Sequence, residues 1–195
     1  MKKLIRPTLA MLATMMLVTG LAYPLLVTAI GQIAFNDRAN GSLVIRDGKV
    51  VGSELIGQSF SAPKYFWSRP SATAPMANNG AASGGSNLGP TNPALKEAVA
   101  GRISALRSAD PGNTQPVPID LVTASASGLD LHISEAAARY QVGRVAAVRG
   151  LAAKDISSLV DAYREKALLG FIGEPRVNVL RINLALDALA APGKS

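Results

Sequence analysis

TLAMLATMMLVTGLAYPLLVTAI, residues 8–30, is the stretch that decides how this chain is organised, because no charged side chain occurs from Pro7 to Asn36. As an α-helix these 23 residues would extend about 35 Å, compared with roughly 30 Å for the hydrocarbon core of a bilayer. Pro7 fits the first helical turn, where no N–H is needed, and Pro24 is expected to kink the helix. We therefore predict a transmembrane helix at residues 8–30.

The charges that flank this helix predict its orientation. Three cations precede the apolar run, namely Lys2, Lys3 and Arg6. Just after the run, Asp37 and Arg38 cancel each other. Because positive charge stays on the cytoplasmic side of a membrane helix, residues 1–7 are expected to be cytoplasmic and residues 36–195 to be exported. The predicted location is the cell inner membrane, which the chain crosses once.

A cleaved signal peptide is the alternative for this segment. Val27, Thr28 and Ala29 would suit a signal peptidase. The uncharged run is much longer than the usual signal core of about 7–15 residues, however, and it continues through residues 30–35. A retained helix is therefore the favoured interpretation.

The composition of the rest of the chain limits the partners and the chemistry that this part can have. The net charge is +7, and the exported part keeps 17 of the 20 basic residues against all 13 acidic ones. This mild excess of positive charge suits contact with anionic lipid or with an acidic partner. The chain contains no cysteine, so neither disulfides nor thiol chemistry stabilise or drive this domain.

The first half of the exported part shows a hairpin, a polar stretch and a helix. Residues 43–46 and 49–52 are β-prone runs around an Asp-Gly turn, which predicts a β-hairpin. In residues 71–93, 14 of 23 positions are Gly, Ser, Asn or Pro, a composition that is typical of a flexible linker. Asn92 and Pro93 then form a cap and first turn for a helix to about Ser108.

The second half alternates short strands with helices. Short strands are predicted at residues 118–122 and 177–180, and an Ala-rich helix at residues 134–148. A second helix is predicted from about Lys154, with apolar residues spaced along one face as far as Ala167. A last short helix is expected at residues 184–190. Without a regular βαβ rhythm, these elements predict one mixed α+β domain.

The motifs of several enzyme classes are missing. The sequence has no P-loop, no H-E-x-x-H zinc motif and no G-x-S-x-G nucleophile elbow. His132 is the only histidine, and too few ligands surround it in the sequence for a metal site. We therefore assign no catalytic residue and no metal ligand.

Two further patterns leave alternatives. Ser61 and Lys64 match the S-x-x-K spacing of exported penicillin-interacting enzymes, although Pro63 opposes the helical turn that this motif needs. The helix pair around Gly150 resembles a helix-turn-helix whose arginines would contact phosphates. These arginines are Arg139, Arg144 and Arg149. An exported domain does not meet DNA, so no nucleic-acid partner is predicted.

Several short motifs follow one another along the chain: YF at residues 65–66, RPSA at 69–72, ASGGSNL at 82–88, TASASGLD at 123–130, NVL at 178–180 and NLALD at 183–187. In this order they resemble the C-chain family of the Kdp potassium-transporting ATPase. The residues that carry the resemblance, as partner-binding or loop-forming candidates, are Tyr65, Phe66, Arg69, Pro70, Ser83, Gly84, Gly85, Ser86, Asn87, Ser125, Ser127, Asp130, Asn178 and Asn183.

The resemblance implies an accessory subunit of a high-affinity ATP-driven potassium uptake complex. Its partners would be a channel-like potassium-binding subunit, a P-type ATPase subunit and a small single-helix subunit, together with membrane lipid. ATP, magnesium and potassium would act through those partners, because the chain has no D-K-T-G phosphorylation motif and one helix cannot enclose a pore. An influence on the ATP affinity of the ATPase subunit is also implied, although only residues 1–7 would face the cytoplasm.

The resemblance also changes the expectation for residues 71–93, which match family motifs and are therefore expected to form an ordered, glycine-turned loop. Two alternatives for function remain. The chain could be an exported single-pass scaffold of another membrane complex, or an envelope enzyme that uses Ser61 and Lys64.

Overall fold

The computed structural model describes residues 2–167 and 169–190, which fall into two compact units, Met1–Ser53 and Glu54–Ser195. The first unit begins with α1 (Lys2–Leu17), a π-helical turn (Val18–Ala22) and α2 (Tyr23–Ala34). Together they give one helix, Lys3–Ala34, that is long and apolar enough to cross a membrane. A one-turn helix, α3 (Asn36–Ala39), comes next.

The π-helical turn lies immediately before Pro24, where the sequence predicts a kink. Pro24 has no N–H to donate to the carbonyl of Gly20, and its ring would crowd that carbonyl. In the structure the N–H of Tyr23 donates to the carbonyl of Val18, which widens the helix by one residue. The local distortion therefore takes the form of a wider turn that begins before the proline.

The predicted hairpin is confirmed. Strand β1 (Leu43–Arg46) pairs antiparallel with β2 (Lys49–Ser53). Asp47 and Gly48 both have positive φ, 50° and 73°, as a two-residue hairpin turn of the favoured hand requires. The hairpin belongs to the same compact unit as the long apolar helix.

The second unit is a mixed α+β domain, as predicted. Its elements are α4 (Pro93–Ala109), a 3-10 turn (Ile119–Leu121), β3 (His132–Ser134), α5 (Glu135–Arg149), α6 (Ala153–Tyr163), β4 (Arg164–Glu165), β5 (Arg176–Asn178) and α7 (Val179–Ala190). The three short strands form one antiparallel sheet in the order β3-β5-β4.

The core of this domain lies between the sheet and the helices. Val177 of the central strand is fully buried, as are Val145 of α5, Ile156 of α6 and Leu186 of α7. The helix ends are set by local chemistry: for example, the Ser134 hydroxyl accepts a hydrogen bond from the N–H of Ala137 and so caps α5.

Three element predictions need correction. Residues 118–122 form a 3-10 turn and not a strand, because the carbonyl of Ile119 accepts from the N–H groups of both Val122 and Thr123. The helix predicted from Lys154 ends at Tyr163, where the chain enters β4, so Ala167 lies outside it.

The third correction concerns the last strand and helix. The strand predicted at residues 177–180 ends at Asn178, whose side chain accepts from the N–H of Arg181. This bond caps α7, which therefore begins at Val179 and includes the short helix predicted at residues 184–190.

The glycine-rich loop, residues 71–93, has few regular elements but is hydrogen-bonded to the chain just beyond the 3-10 turn. The Ser71 hydroxyl donates to the carbonyl of Gly128 at 2.7 Å, and the N–H of Gly84 donates to the carbonyl of Ser127 at 2.9 Å. The prediction of an ordered loop is therefore confirmed, and the linker suggested by composition is wrong.

Close backbone contact explains two of the glycines at this contact. Gly128 has a φ of 68°, and a Cβ there would lie 2.8 Å from the carbonyl oxygen of Gly84. A Cβ on Gly85 would lie 2.9 Å from the carbonyl oxygen of Ala126. Only glycine allows the two segments to approach this closely.

Candidate functional site

The aromatic segment, residues 65–67, lies against α5 and α7. Phe66 is fully buried in the core. The side-chain amide of Asn183, on α7, accepts from the N–H of Phe66 and donates to its carbonyl, both at 2.9 Å. This pair of hydrogen bonds satisfies both backbone groups of a buried residue that has no neighbouring strand.

A second amide makes the same kind of pair one residue further along. Gln141 of α5 accepts from the N–H of Trp67 at 2.7 Å and donates to the carbonyl of Trp67 at 3.2 Å. Gln141 and Asn183 are each only 1% exposed. The two helices thus hold the aromatic segment from both sides by binding its backbone.

Arg144, one turn after Gln141, binds the start of the same segment. Its guanidinium donates to the carbonyls of Pro63 and Tyr65 and to the side-chain oxygen of Gln141. It also lies 4.6 Å from the ring centroid of Trp67. Burial lowers the pKa of Arg144 to about 10, so the group remains a cation at neutral pH.

Arg149 and Asp187 complete the contact between α5, α7 and the aromatic segment. The Asp187 carboxylate accepts from Arg149 at 2.9 Å and from the Tyr65 hydroxyl at 2.9 Å. Arg149 also donates to the carbonyl of Lys64 at 2.7 Å. Burial, together with the weaker effect of the hydrogen bond to Asp187, raises the pKa of the Tyr65 hydroxyl.

A second polar cluster lies at the edge of the three-stranded sheet. Arg69 donates to the Asp130 carboxylate at 3.2 Å, and the other oxygen of Asp130 accepts from the backbone N–H of His132. His132 Nε2 lies 3.3 Å from Glu165, which also pairs with Arg176. The cluster therefore links the chain after the aromatic segment to all three strands.

Burial of the His132 side chain favours its neutral imidazole form. Burial is the largest influence and lowers its pKa, and the nearby Arg176 acts in the same direction. Glu165 and Asp130 oppose the shift without reversing it. The side chain is 19% exposed, so the ring is only partly screened by solvent.

The side chains of these two clusters are hydrogen-bonded or ion-paired to one another and to the backbone. Among residues 2–167 and 169–190, no three His, Asp or Glu side chains converge as a metal site would require. The carboxylates of both clusters are paired with arginines or with the tyrosine hydroxyl. The arrangement can therefore present a rigid surface.

The comparison with known proteins identifies the family. The family model described as K+-transporting ATPase, c chain (KdpC) matches residues 5–188. The chain belongs to the KdpC family. The resemblance stated from the sequence is therefore confirmed.

Similarity to named KdpC relatives extends over almost the entire chain. The "Potassium-transporting ATPase KdpC subunit" of Methylococcus capsulatus is 62% identical over 94% of this chain and 97% of the relative. The protein of the same name from Polaromonas naphthalenivorans is 60% identical over 99% and 100%. That from Methylibium petroleiphilum is 59% identical over 96% and 98%.

The residues that carry the KdpC resemblance fall into three groups in the structure. Tyr65, Phe66 and Asn183 meet at the aromatic segment, whereas Arg69 and Asp130 belong to the polar cluster at the sheet edge. The third group holds the glycine-rich loop and consists of Pro70, Ser83, Gly84, Gly85, Ser125 and Ser127.

Three of the candidates stand apart from these groups. Asn178 is buried in the central strand and caps α7. Ser86 and Asn87 are exposed, and their side chains make no hydrogen bond within the part of the chain that the structure describes. They are the motif residues that remain free for contact with another molecule.

The sequence interpretation missed Gln141 as a site residue and treated Arg144 as a surface cation. A signal was present, because both lie after Ala137 at helical spacing and so share its buried face. A polar residue on the apolar face of a predicted helix indicates a buried hydrogen-bond partner.

The residues of the S-x-x-K spacing and of the pattern that resembles a helix-turn-helix have other roles in the structure. Residues 61–64 form a turn and not a helix, and the Lys64 ammonium lies 5.1 Å from the ring centroid of Tyr65. Of the three arginines considered for phosphate contact, Arg139 pairs with Glu135 and Asp161. The other two bind the aromatic segment.

We predict that Asn183→Leu destabilises the second unit. The change leaves the N–H and carbonyl of Phe66 buried without partners, and each such group costs about 1–3 kcal/mol. We expect a loss of about 2 kcal/mol or more in the free energy of unfolding, measured by urea titration of the full chain. The exposed Gln115→Leu is the control; equal losses in both variants would contradict the assignment.

We also predict that acidification destabilises the protein through His132. Because the folded-state pKa is below the usual value of about 6.5, the unfolded chain binds a proton more readily as the pH falls through that value. Stability should be full above about pH 6.5 and decline below it, by at most about 1.4 kcal/mol per pH unit.

Urea titrations at pH 7 and near pH 5.5 measure this effect. No other histidine is present in the chain, so the variant His132→Gln should lose the pH dependence in this window. A variant whose stability still falls as in the wild type would show that another group titrates.

Proposed function

We propose that this chain is the accessory, non-pore and non-phosphorylated subunit of a high-affinity ATP-driven potassium uptake complex, in which it supports assembly and potassium transport. The observation that carries the proposal is the identity of about three residues in five with potassium-transporting ATPase KdpC subunits over nearly the full length of each chain. Its partners would be a channel-like potassium-binding subunit, a P-type ATPase subunit and a small single-helix subunit.

The proposed division of labour assigns the ion and the nucleotide to the partners. The long apolar helix is the single candidate span among the described residues, and one helix cannot enclose a pore. The sequence lacks the D-K-T-G motif of a phosphorylated aspartate. ATP, magnesium and potassium would therefore act through the other subunits, and the chain alone would not be an enzyme.

In the proposed topology, residues 1–7 are cytoplasmic, residues 8–30 span the inner membrane and residues 36–195 are exported. The three cations before the helix and the balanced pair after it support this orientation. With so little of the chain in the cytoplasm, an influence on ATP affinity would have to act through the partners' membrane helices. Assembly, and a role at the external side of the potassium pathway, fit this topology better.

Cysteine labelling tests the topology. Because the chain has no cysteine, Ser86→Cys and Lys3→Cys each introduce a unique thiol at an exposed position. In cells with a permeable outer membrane, we expect a membrane-impermeant maleimide to label the first variant. The second should react only after the inner membrane is opened. Labelling of Lys3→Cys in sealed cells, or a mature protein without the helix, would contradict the proposal.

Co-purification tests the accessory role. A tagged full chain, expressed with the rest of its operon and extracted in mild detergent, should bring down a multi-span channel-like protein and a P-type ATPase. Deletion of the chain should reduce assembly or potassium uptake, and the purified chain alone should not hydrolyse ATP. The proposal fails if neither partner co-purifies or if the isolated chain is an ATPase.

A further inference from the structure

A cleft in the second unit lies between α4 and the aromatic segment. Its volume is about 370 Å³, within the usual range of small-molecule sites. Apolar and aromatic side chains form most of its wall, namely Phe60, Trp67, Pro70, Ala105, Leu106 and Leu121. Serines and two arginines form the rest of the wall. The family motifs alone do not mark this cleft as a binding site.

Arg102 of α4 lines the cleft and has no carboxylate partner among the described residues. Within that part of the chain, its side chain donates from Nη1 to the carbonyl of Val122 at 2.7 Å. A guanidinium has five N–H donors, so most of its hydrogen-bonding capacity remains available. Burial lowers the pKa of Arg102, which indicates a cation that is partly removed from water without a compensating charge.

The other polar groups of the cleft limit what its ligand can be. Arg69 is already neutralised by Asp130, so Arg102 contributes the one uncompensated charge among the lining residues. The hydroxyls of Ser61 and Ser68 have no side-chain hydrogen bond within the part of the chain described, and both line the cleft. A single negative charge with a few additional acceptors would satisfy these groups.

We propose that this cleft binds a small organic anion in which one carboxylate is joined to an apolar group. The carboxylate pairs with the Arg102 guanidinium and accepts from the serine hydroxyls, while the apolar group packs on Trp67, Leu106 and Leu121. A polyanion fits poorly, because its further charges would lie against the apolar wall without partners. This site goes beyond the accessory role proposed above and does not rest on it.

The position of Trp67 in the wall provides a direct test, because it is the only tryptophan of the chain. The full chain in detergent is titrated with 4-phenylbutyrate, with the neutral 4-phenylbutan-1-ol and with inorganic phosphate, and Trp67 emission is followed. We expect a saturable change with 4-phenylbutyrate. Because the neutral alcohol cannot form the charge-assisted hydrogen bond, we expect it to bind roughly tenfold or more weakly than 4-phenylbutyrate. We also expect weak binding of inorganic phosphate, because phosphate lacks the apolar group.

Variants of α4 locate the charge. Arg102→Ala should weaken 4-phenylbutyrate binding by roughly tenfold, whereas Arg102→Lys should recover part of it because a cation is restored. Arg107→Ala is the matched control, since this exposed arginine is on the same helix but does not line the cleft.

Three results would overturn the proposal. The first is that 4-phenylbutyrate causes no saturable change in Trp67 emission. The second is that the neutral alcohol binds as tightly as the carboxylate, a comparison that needs no variant and so does not depend on the folding of Arg102→Ala. The third is that Arg107→Ala weakens binding as much as Arg102→Ala does.

Discussion

The paired hydrogen bonds between two buried amide side chains and the backbone of the aromatic segment are the interaction on which the second unit depends. A buried residue such as Phe66 brings its N–H and carbonyl into the core, and neither a helix nor a sheet supplies their partners here. Asn183 supplies them for Phe66, and Gln141 does the same for Trp67, in the way that a neighbouring strand would. The segment can therefore bury an aromatic ring without being part of a sheet.

Holding this segment in place also positions the residues that come after it in the chain. The carbonyl of Pro70 accepts from the N–H of Ser125, and Ser71 donates to Gly128, so the aromatic segment leads directly into the docked glycine-rich loop. Arg69, between them, reaches Asp130 beside the sheet. One short stretch of chain thus connects the helices, the sheet and the loop.

Local patterns predicted most elements of this fold, whereas the hydrogen bonds between residues far apart in the sequence could not be predicted from such patterns. Helix caps such as Asn92 and the Asp-Gly turn are local signals, and they predicted the correct elements. The strand expected at residues 118–122 failed because its apolar residues, Leu121 and Val122, are buried by a turn, and burial alone does not distinguish the two. The bonds of Gln141 to Trp67, 74 residues away, leave no periodic trace in the sequence. The family resemblance therefore pointed to Phe66 and its partner Asn183 but not to Gln141.

The carboxylates that lie beside the sheet and the aromatic segment are paired with arginines. Arg164 and Arg139 both bind Glu135 and hold the pKa of that carboxyl below its usual range, and Arg149 neutralises Asp187. Acid–base catalysis needs the opposite, a carboxyl whose neighbours leave it free to exchange a proton near neutral pH. Arg144 directs its donors to carbonyls and an amide oxygen within the protein. Arg102 differs from these arginines because, in the part of the chain that the structure describes, it donates to one carbonyl and pairs with no carboxylate. Since it also lines a cleft, it is suited to bind an anion from outside the chain, as proposed above.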